Sequence, residues 1–136
     1  SNLLAPLELD VLQEQWPQVT ADAVYSANTL HIMSWPEVEA FFSGAGHVLA
    51  AGGVLVVYGP FRYAGRFTSD SNAAFDRSLR ERDPASGIRD IEAVNRLAET
   101  QGLAFTADHA MPANNQLLVW IRRVAGPRPP TGQGCR

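Results

Sequence analysis

Val54-Leu55-Val56-Val57-Tyr58, closed by Gly59-Pro60, is the stretch on which the fold of this chain turns. An unbroken run of branched and apolar side chains fits a central strand with both faces covered, the habit of strands in a parallel sheet. Gly59-Pro60 ends it, because proline has no N–H to continue a ladder. Upstream, Ser34 and Glu37 have the spacing of a capping box, with Trp35-Pro36 in the first turn, where a missing N–H costs nothing. Val38, Phe41, Phe42, Ala45, Val48 and Leu49 follow on one helical face, and Gly52-Gly53 is expected to stop that helix. Gly44-Ala45-Gly46 lies within this pattern rather than between a strand and a helix start, so it reads as helix packing and not as a glycine-rich cofactor loop.

Further out, Leu7 to Leu12 alternates apolar and acidic residues and reads as a short strand. Ala21 to Ser26 is a second strand, ending in the polar Ser26-Ala27-Asn28-Thr29. Beyond the central run, a polar loop from Arg62 to Ser71 precedes a helix over Asn72 to Arg82, closed by Asp83-Pro84. A third helix starts near Asp90, presents Ile91, Val94, Leu97 and Ala98, and stops at Gly102. Leu103 to His109 and Gln116 to Arg122 are strands joined by Met111-Pro112-Ala113-Asn114-Asn115, a connection short enough for antiparallel neighbours. The order is β–β–α–β–α–α–β–β: an α/β fold with a mostly parallel sheet, helical crossovers and an antiparallel C-terminal hairpin. One domain over residues 1–125 is expected, followed by a disordered Pro- and Gly-rich tail over 126–136.

Composition narrows the function. The chain has 136 residues, 46% hydrophobic and 18% charged, enough to bury a core without staples. Eleven basic residues against 14 acidic ones give a net charge of -3, which argues against nucleic-acid and membrane-surface partners. Every basic residue is arginine, so Schiff-base and P-loop lysine chemistry are excluded. The one cysteine, Cys135, rules out an intrachain disulfide and a cysteine-based zinc site. No basic segment followed by a long apolar run opens the sequence, and the apolar run at Val54 to Tyr58 is far short of the ~20 residues of a membrane span. A cytoplasmic protein is expected.

The closing hairpin is similar to the second half of the class I S-adenosylmethionine-dependent methyltransferase fold, whose last strand inserts antiparallel to its neighbours. Four segments in order carry the resemblance further: Ser26 to Trp35 (SANTLHIMSW), Tyr58-Gly59-Pro60-Phe61, Ser71 to Pro84 (SNAAFDRSLRERDP) and Met111 to Asn115 (MPANN). Together they resemble an uncharacterised Rossmann-like methyltransferase family of bacteria and animals that includes methyltransferase-like protein 26. The resemblance covers Leu7 to about Arg123. It implies S-adenosyl-L-methionine as cofactor. It also implies that the chain corresponds to the C-terminal two-thirds of such a domain, lacking the first two strands. Those carry a glycine-rich loop for the methionine portion and an acidic residue for the ribose.

By the same resemblance, Asp10 takes the position of the residue that reaches the adenine amino group, and Ser26, Ala27 and Asn28 face the methionine portion and the transferred methyl. The residues add their own chemistry. Asn28 offers donors and an acceptor without charge, or it is a loop cap. His31 titrates near neutrality and suits a general base, or it is a packed histidine between Leu30 and Ile32. Tyr58, Pro60 and Phe61 stand at the C-terminal end of the central strand, where open α/β sheets bind ligands. Asn72, Asp76 and Arg80 recur at four-residue spacing and share a helix face, while Phe75 and Leu79 on the adjoining face are expected to pack inward. A solvated Asp76–Arg80 pair explains two of these residues but not Asn72. Asn114 and Asn115 stand in the hairpin connection, either closing the same substrate pocket or making an ordinary turn.

The leading reading is a methyltransferase transferring a methyl group to a small-molecule or protein acceptor, with no metal and with this chain alone inactive. A second is a non-catalytic interaction module with a methyltransferase fold, whose unpaired sheet edge leads to a homo-oligomer. A hydrolase built on Ser26, His31 and Asp10 ranks below both, because no G-x-S-x-G elbow is present.

Overall fold

The computed structural model describes residues 20–124. Its strands β1 (Ala21–Ala27), β2 (Leu49–Gly59), β5 (Leu103–Met111) and β6 (Asn115–Arg122) form one sheet in the order β1-β2-β6-β5. β1 and β2 are parallel, while β6 runs antiparallel to both β2 and β5. Three strands therefore share one direction, and the reversed strand is inserted between two of them. This is the α/β arrangement the closing hairpin implied. The strand expected at Leu7 to Leu12, Asp10, Cys135 and the tail expected over 126–136 lie outside the described residues.

Helix α1 (Trp35–Val48) starts where the sequence places it. Ser34 Oγ accepts from the Glu37 amide, and the Glu37 carboxylate accepts from the Ser34 amide at 2.8 Å, a complete capping box. It ends four residues before Gly52. Leu49 is already extended and pairs with Ala21, whereas Ala23 pairs with Val54, so residues 50–53 bulge out of the ladder. Gly52 supplies the left-handed turn there, at φ 81°. The glycines thus break the strand rather than the helix.

The core lies between α1, α3 (Ile91–Thr100) and one face of the sheet. Leu55, Val57, Leu118 and Trp120 alternate inward, and Phe42 meets the Trp120 ring edge-on at 5.5 Å. The Trp120 indole donates to Asn95 Oδ1 at 3.0 Å, which satisfies its buried polar atom. Val54, Val56 and Tyr58 are only half-buried. The central run is therefore fully covered on one face, not both. Gly46 lets α1 approach the end of α3: a Cβ there would stand 2.8 Å from the Gln101 Cβ.

The segment expected as a polar loop contains a small hairpin, β3 (Arg62–Tyr63) and β4 (Arg66–Phe67). Ala64 and Gly65 both have positive φ, as a tight two-residue turn requires. Arg62 bonds Asp90 at 2.7 Å, the Tyr63 hydroxyl donates to Asp108, and Glu92 accepts from the Ala64 amide. Burial and the Asp108 carboxylate push the Tyr63 hydroxyl pKa well above its usual value, so it stays a donor.

Helix α2 (Asp70–Arg82) is turned differently from the expectation. Leu79 packs inward, but Phe75 is 37% exposed, and Asn72 and Asp76 are the buried side chains. The helix rests on loops, whose backbone groups need polar partners, rather than on the apolar sheet face. Among the described residues no helix is long and apolar enough to cross a membrane.

Candidate functional site

The parallel pair β1–β2 ends in a shared corner. At the end of β1 the Ser26 and Thr29 hydroxyls hydrogen-bond to each other, and the Asn28 amide donates to the Tyr58 carbonyl at 2.8 Å. Asn28 sits at φ 57°, a left-handed conformation that asparagine tolerates better than most residues. A single turn of 3-10 helix (Leu30–Ile32) follows. It buries Leu30 in the core and directs His31 back towards the strand ends, close beside Gly59. The Gly87 amide donates to the His31 carbonyl at 2.9 Å and fixes that turn.

Over this corner opens a cleft of about 460 Å³. Asn28, His31 and Pro60 lie at the strand ends; Ser71, Asn72 and Phe75 come from α2; Ala113 and Asn115 come from the β5–β6 connection. The His31 and Phe75 rings meet at 5.4 Å in an edge contact. His31 is only 7% exposed, and this burial lowers its pKa below the ordinary 6.5. It is neutral at pH 7. None of the described residues lining the cleft then carries a formal charge.

Polar contacts pin the wall. Asn72 Nδ2 donates to Thr68 Oγ1 and to the Asn114 carbonyl, both at 3.1 Å, and Asn114 Nδ2 reaches Ser71 Oγ at 3.4 Å. Asn115 Nδ2 lies 3.4 Å from the Tyr58 hydroxyl and 3.3 Å from the Pro112 carbonyl. Ala113 and Asn114 both have φ near 60°, so the connection between the strands folds over the cleft by a left-handed step.

Of the residues named from sequence, Asn28, His31, Pro60, Asn72 and Asn115 come together here. Asn114 and Tyr58 stand behind them through hydrogen bonds. Ser26 and Ala27 end the strand beneath but do not line the cleft. The hydroxyl of Ser26 is paired with Thr29, which gives the hydrolase reading no Ser–His pair. Asp10 lies outside the described residues. Phe61 is a correction: it is 1% exposed and part of the core, because the chain turns inward after Pro60.

Asp76 and Arg80 are also displaced from their expected place. The Asp76 carboxylate accepts from the Ile88 amide at 2.8 Å and from Arg80 Nε at 2.8 Å, so it holds the loop that carries Gly87. Gly87 is needed there, since a Cβ would sit 3.1 Å from both Asp76 Oδ1 and Arg80 Nη2. Phe75, Ser71 and Ala113 are lining residues that sequence reasoning missed. The i, i+4 spacing of Ser71 and Phe75, on the face beside Asn72, was the available signal.

The left-handed Asn28 gives a direct test. Asn28→Gly should leave stability nearly unchanged, while Asn28→Ala should cost about 1 kcal/mol in urea denaturation, since alanine is strained at positive φ. Equal stabilities of the two variants would contradict this backbone account.

The sheet order, the reversed inserted strand and a cleft at the C-terminal strand ends define a class I methyltransferase fold, and solved structures agree. An O-methyltransferase family protein from Burkholderia thailandensis superposes with a TM-score of 0.73 at 18% identity, over 88% of this chain and 36% of that one. Human N-acetylserotonin methyltransferase, in complex with SAM, gives 0.69 at 17% identity, over 87% of this chain and 33% of that one. An O-methyltransferase family 2 protein from Planctomyces limnophilus, in complex with apigenin, gives 0.71 at 17%, over 82% and 33%. The chain thus spans about a third of the length of each, and at these identities the likeness is one of fold. Residues 1–122 match the model of DUF938, a protein family of unknown function, and the chain belongs to that family.

Proposed function

We propose that this chain forms the acceptor side of an S-adenosylmethionine-dependent methyltransferase. The observation that carries the reading is the cleft at the ends of β1 and β2, whose described lining is polar and apolar side chains with a neutral histidine at its base. Open α/β sheets bind ligands at that end of their strands, and the neighbours of like fold are methyltransferases. The residues suit the cofactor, because among the described lining residues no cation would repel a sulfonium. When bound, the cofactor supplies an electrophilic methyl group. Ser26, Ala27 and Asn28 are the residues of this chain that would meet it, with Asp10 on the adenine side.

The chain's own contribution is positioning and proton removal. Asn28 and Asn115 orient the acceptor without charge, and the Asn72–Asn114 contact keeps the wall in place. His31, neutral and shielded, takes the proton of an acceptor hydroxyl as that oxygen attacks. Asp76 and Arg80 act at one remove, through the loop under His31.

Calorimetric titration of S-adenosylhomocysteine tests the reading, using this chain and a version fused to the glycine-rich strand and loop of a DUF938 relative. Binding to either form, lost in Asn28→Gly, is the expected result. Binding to neither would overturn the proposal.

A further inference from the structure

The turn that carries His31 is held at two points by one loop. The Gly87 amide donates to the His31 carbonyl at 2.9 Å. Two residues on, the Met33 carbonyl accepts from Arg89 Nη2 at 2.8 Å. The same nitrogen donates to the Ala85 carbonyl at 2.7 Å. Its guanidinium carbon lies 5.5 Å from the centre of the ring of Trp35, the first residue of α1. One side chain therefore joins the end of the His31 turn, the start of α1 and the 85–89 loop. That loop has a footing of its own. Asp76 accepts from the Ile88 amide at 2.8 Å, and the Arg89 carbonyl accepts from the Arg62 amide at 2.8 Å.

An arginine is a costly residue for this place. Burial and the nearby Arg80 and Arg62 lower its pKa, so its surroundings work against its charge. It stays a cation at pH 7 all the same. The acceptors that it meets among the described residues are backbone carbonyls, and its Nε, shut away from solvent, has none there. An apolar side chain packed on Trp35 would avoid these costs. What the guanidinium adds is direction: a planar head, seated on a ring, aims one nitrogen at two carbonyls. Local costs of this kind are characteristic of functional sites.

We propose that Arg89 is a positioning residue: it holds the Met33 carbonyl while Gly87 holds that of His31, and so keeps the His31 ring buried at the base of the cleft against Phe75. That His31 accepts a proton rests on the methyltransferase reading; that Arg89 holds its turn does not.

The test is an NMR pH titration of the chain's three histidines, without cofactor, in the original protein and in Arg89→Met, which keeps a chain against Trp35 but has no donors. His47 and His109, both exposed, are references in the same spectra. In Arg89→Met the His31 pKa should rise towards 6.5, the His31–Phe75 ring contact should be lost, and the Gly87 amide should exchange with solvent about tenfold faster or more. His47 and His109 should not move. Arg89→Lys, which keeps charge and donors, should restore all three signals. Arg89→Gln, too short to reach both carbonyls, should behave as Arg89→Met and replaces it if that variant does not fold. A higher His31 pKa with the ring contact and slow Gly87 exchange intact would be an effect of charge alone, and overturns the proposal. So do unchanged His31 signals in Arg89→Met or Arg89→Gln, or a shift shared equally by His47 and His109. The two readings fail separately. A protein that binds no S-adenosylhomocysteine but shows these changes keeps Arg89 and loses the methyltransferase reading, and one that binds it without them does the reverse.

Discussion

Asp76→Ala is expected to destabilise the domain by about 2–4 kcal/mol, measured by urea denaturation. Asp76 is 6% exposed, and its carboxylate accepts from the buried Ile88 amide as well as from Arg80. Truncation leaves the amide without an acceptor in a place water does not reach. The ion pair itself contributes little, since the Arg80 side chain is 48% exposed. Arg80→Ala should therefore cost less than about 1 kcal/mol, and Asp76→Asn, which keeps an oxygen for Ile88, should fall between the two. Equal losses in Asp76→Ala and Arg80→Ala would show that the ion pair, not the backbone contact, holds the loop. Because the Gly87 amide holds the His31 carbonyl, the Ala variant should also shift the signals of the 3-10 turn.

His31→Gln is expected to lower methyl transfer by about 10²- to 10⁴-fold in a form of the protein that binds S-adenosylhomocysteine. Glutamine keeps polarity and approximate length but cannot accept the proton. The pH dependence carries the sign. Burial lowers the histidine pKa below 6.5, so the active neutral form persists into mildly acidic solution and the rate falls only as pH drops through that lowered value. The acid limb should vanish with His31→Gln. Stability follows the same direction. Above 6.5 the histidine is neutral in both folded and unfolded chains and imposes no penalty. As pH falls below 6.5 the unfolded chain binds the proton first, and stability is lost until the folded pKa is passed. Unchanged turnover and an intact acid limb in His31→Gln would remove His31 from the chemistry.

What could be read from sequence was what short-range pattern determines. The Ser34–Glu37 box, the Val54–Tyr58 run and the turn between β5 and β6 depend on neighbours in the chain, and each stands where it was expected. The two phenylalanines near the cleft show the limit. Phe61 follows a strand end, a position that predicts the rim, yet it belongs to the core. Phe75 has helical spacing to Leu79, which predicts the core, yet it forms part of the cleft wall. Hydrophobicity indicates a preference for burial but not which of two nearby surfaces satisfies it. Asp76 is legible only with Ile88 in view, 12 positions away, because its partner is a backbone amide that leaves no mark in composition. Asn28, His31, Asn72 and Asn115 meet because two strand ends, a helix start and a turn converge on the cleft. The sequence does not display that convergence, since each residue type also serves as a cap, a turn or a packed side chain.

The insertion of β6 between β2 and β5 has a consequence for how the chain is made. β6 is the last of the described strands in sequence, yet it takes a place in the middle of the sheet. Until it leaves the ribosome, β5 has none of the described strands beside it and β2 has only β1 among them. Trp120, the largest of the fully buried side chains, arrives with it and only then fills the space against Phe42. Among the described strands, synthesis runs from β1 to β2, leaves a gap before β5 and then returns to fill it, so their pairing waits on β6. A nascent chain stopped before Asn115 would hold its helices and its first strand pair but would have no keystone with which to lock them.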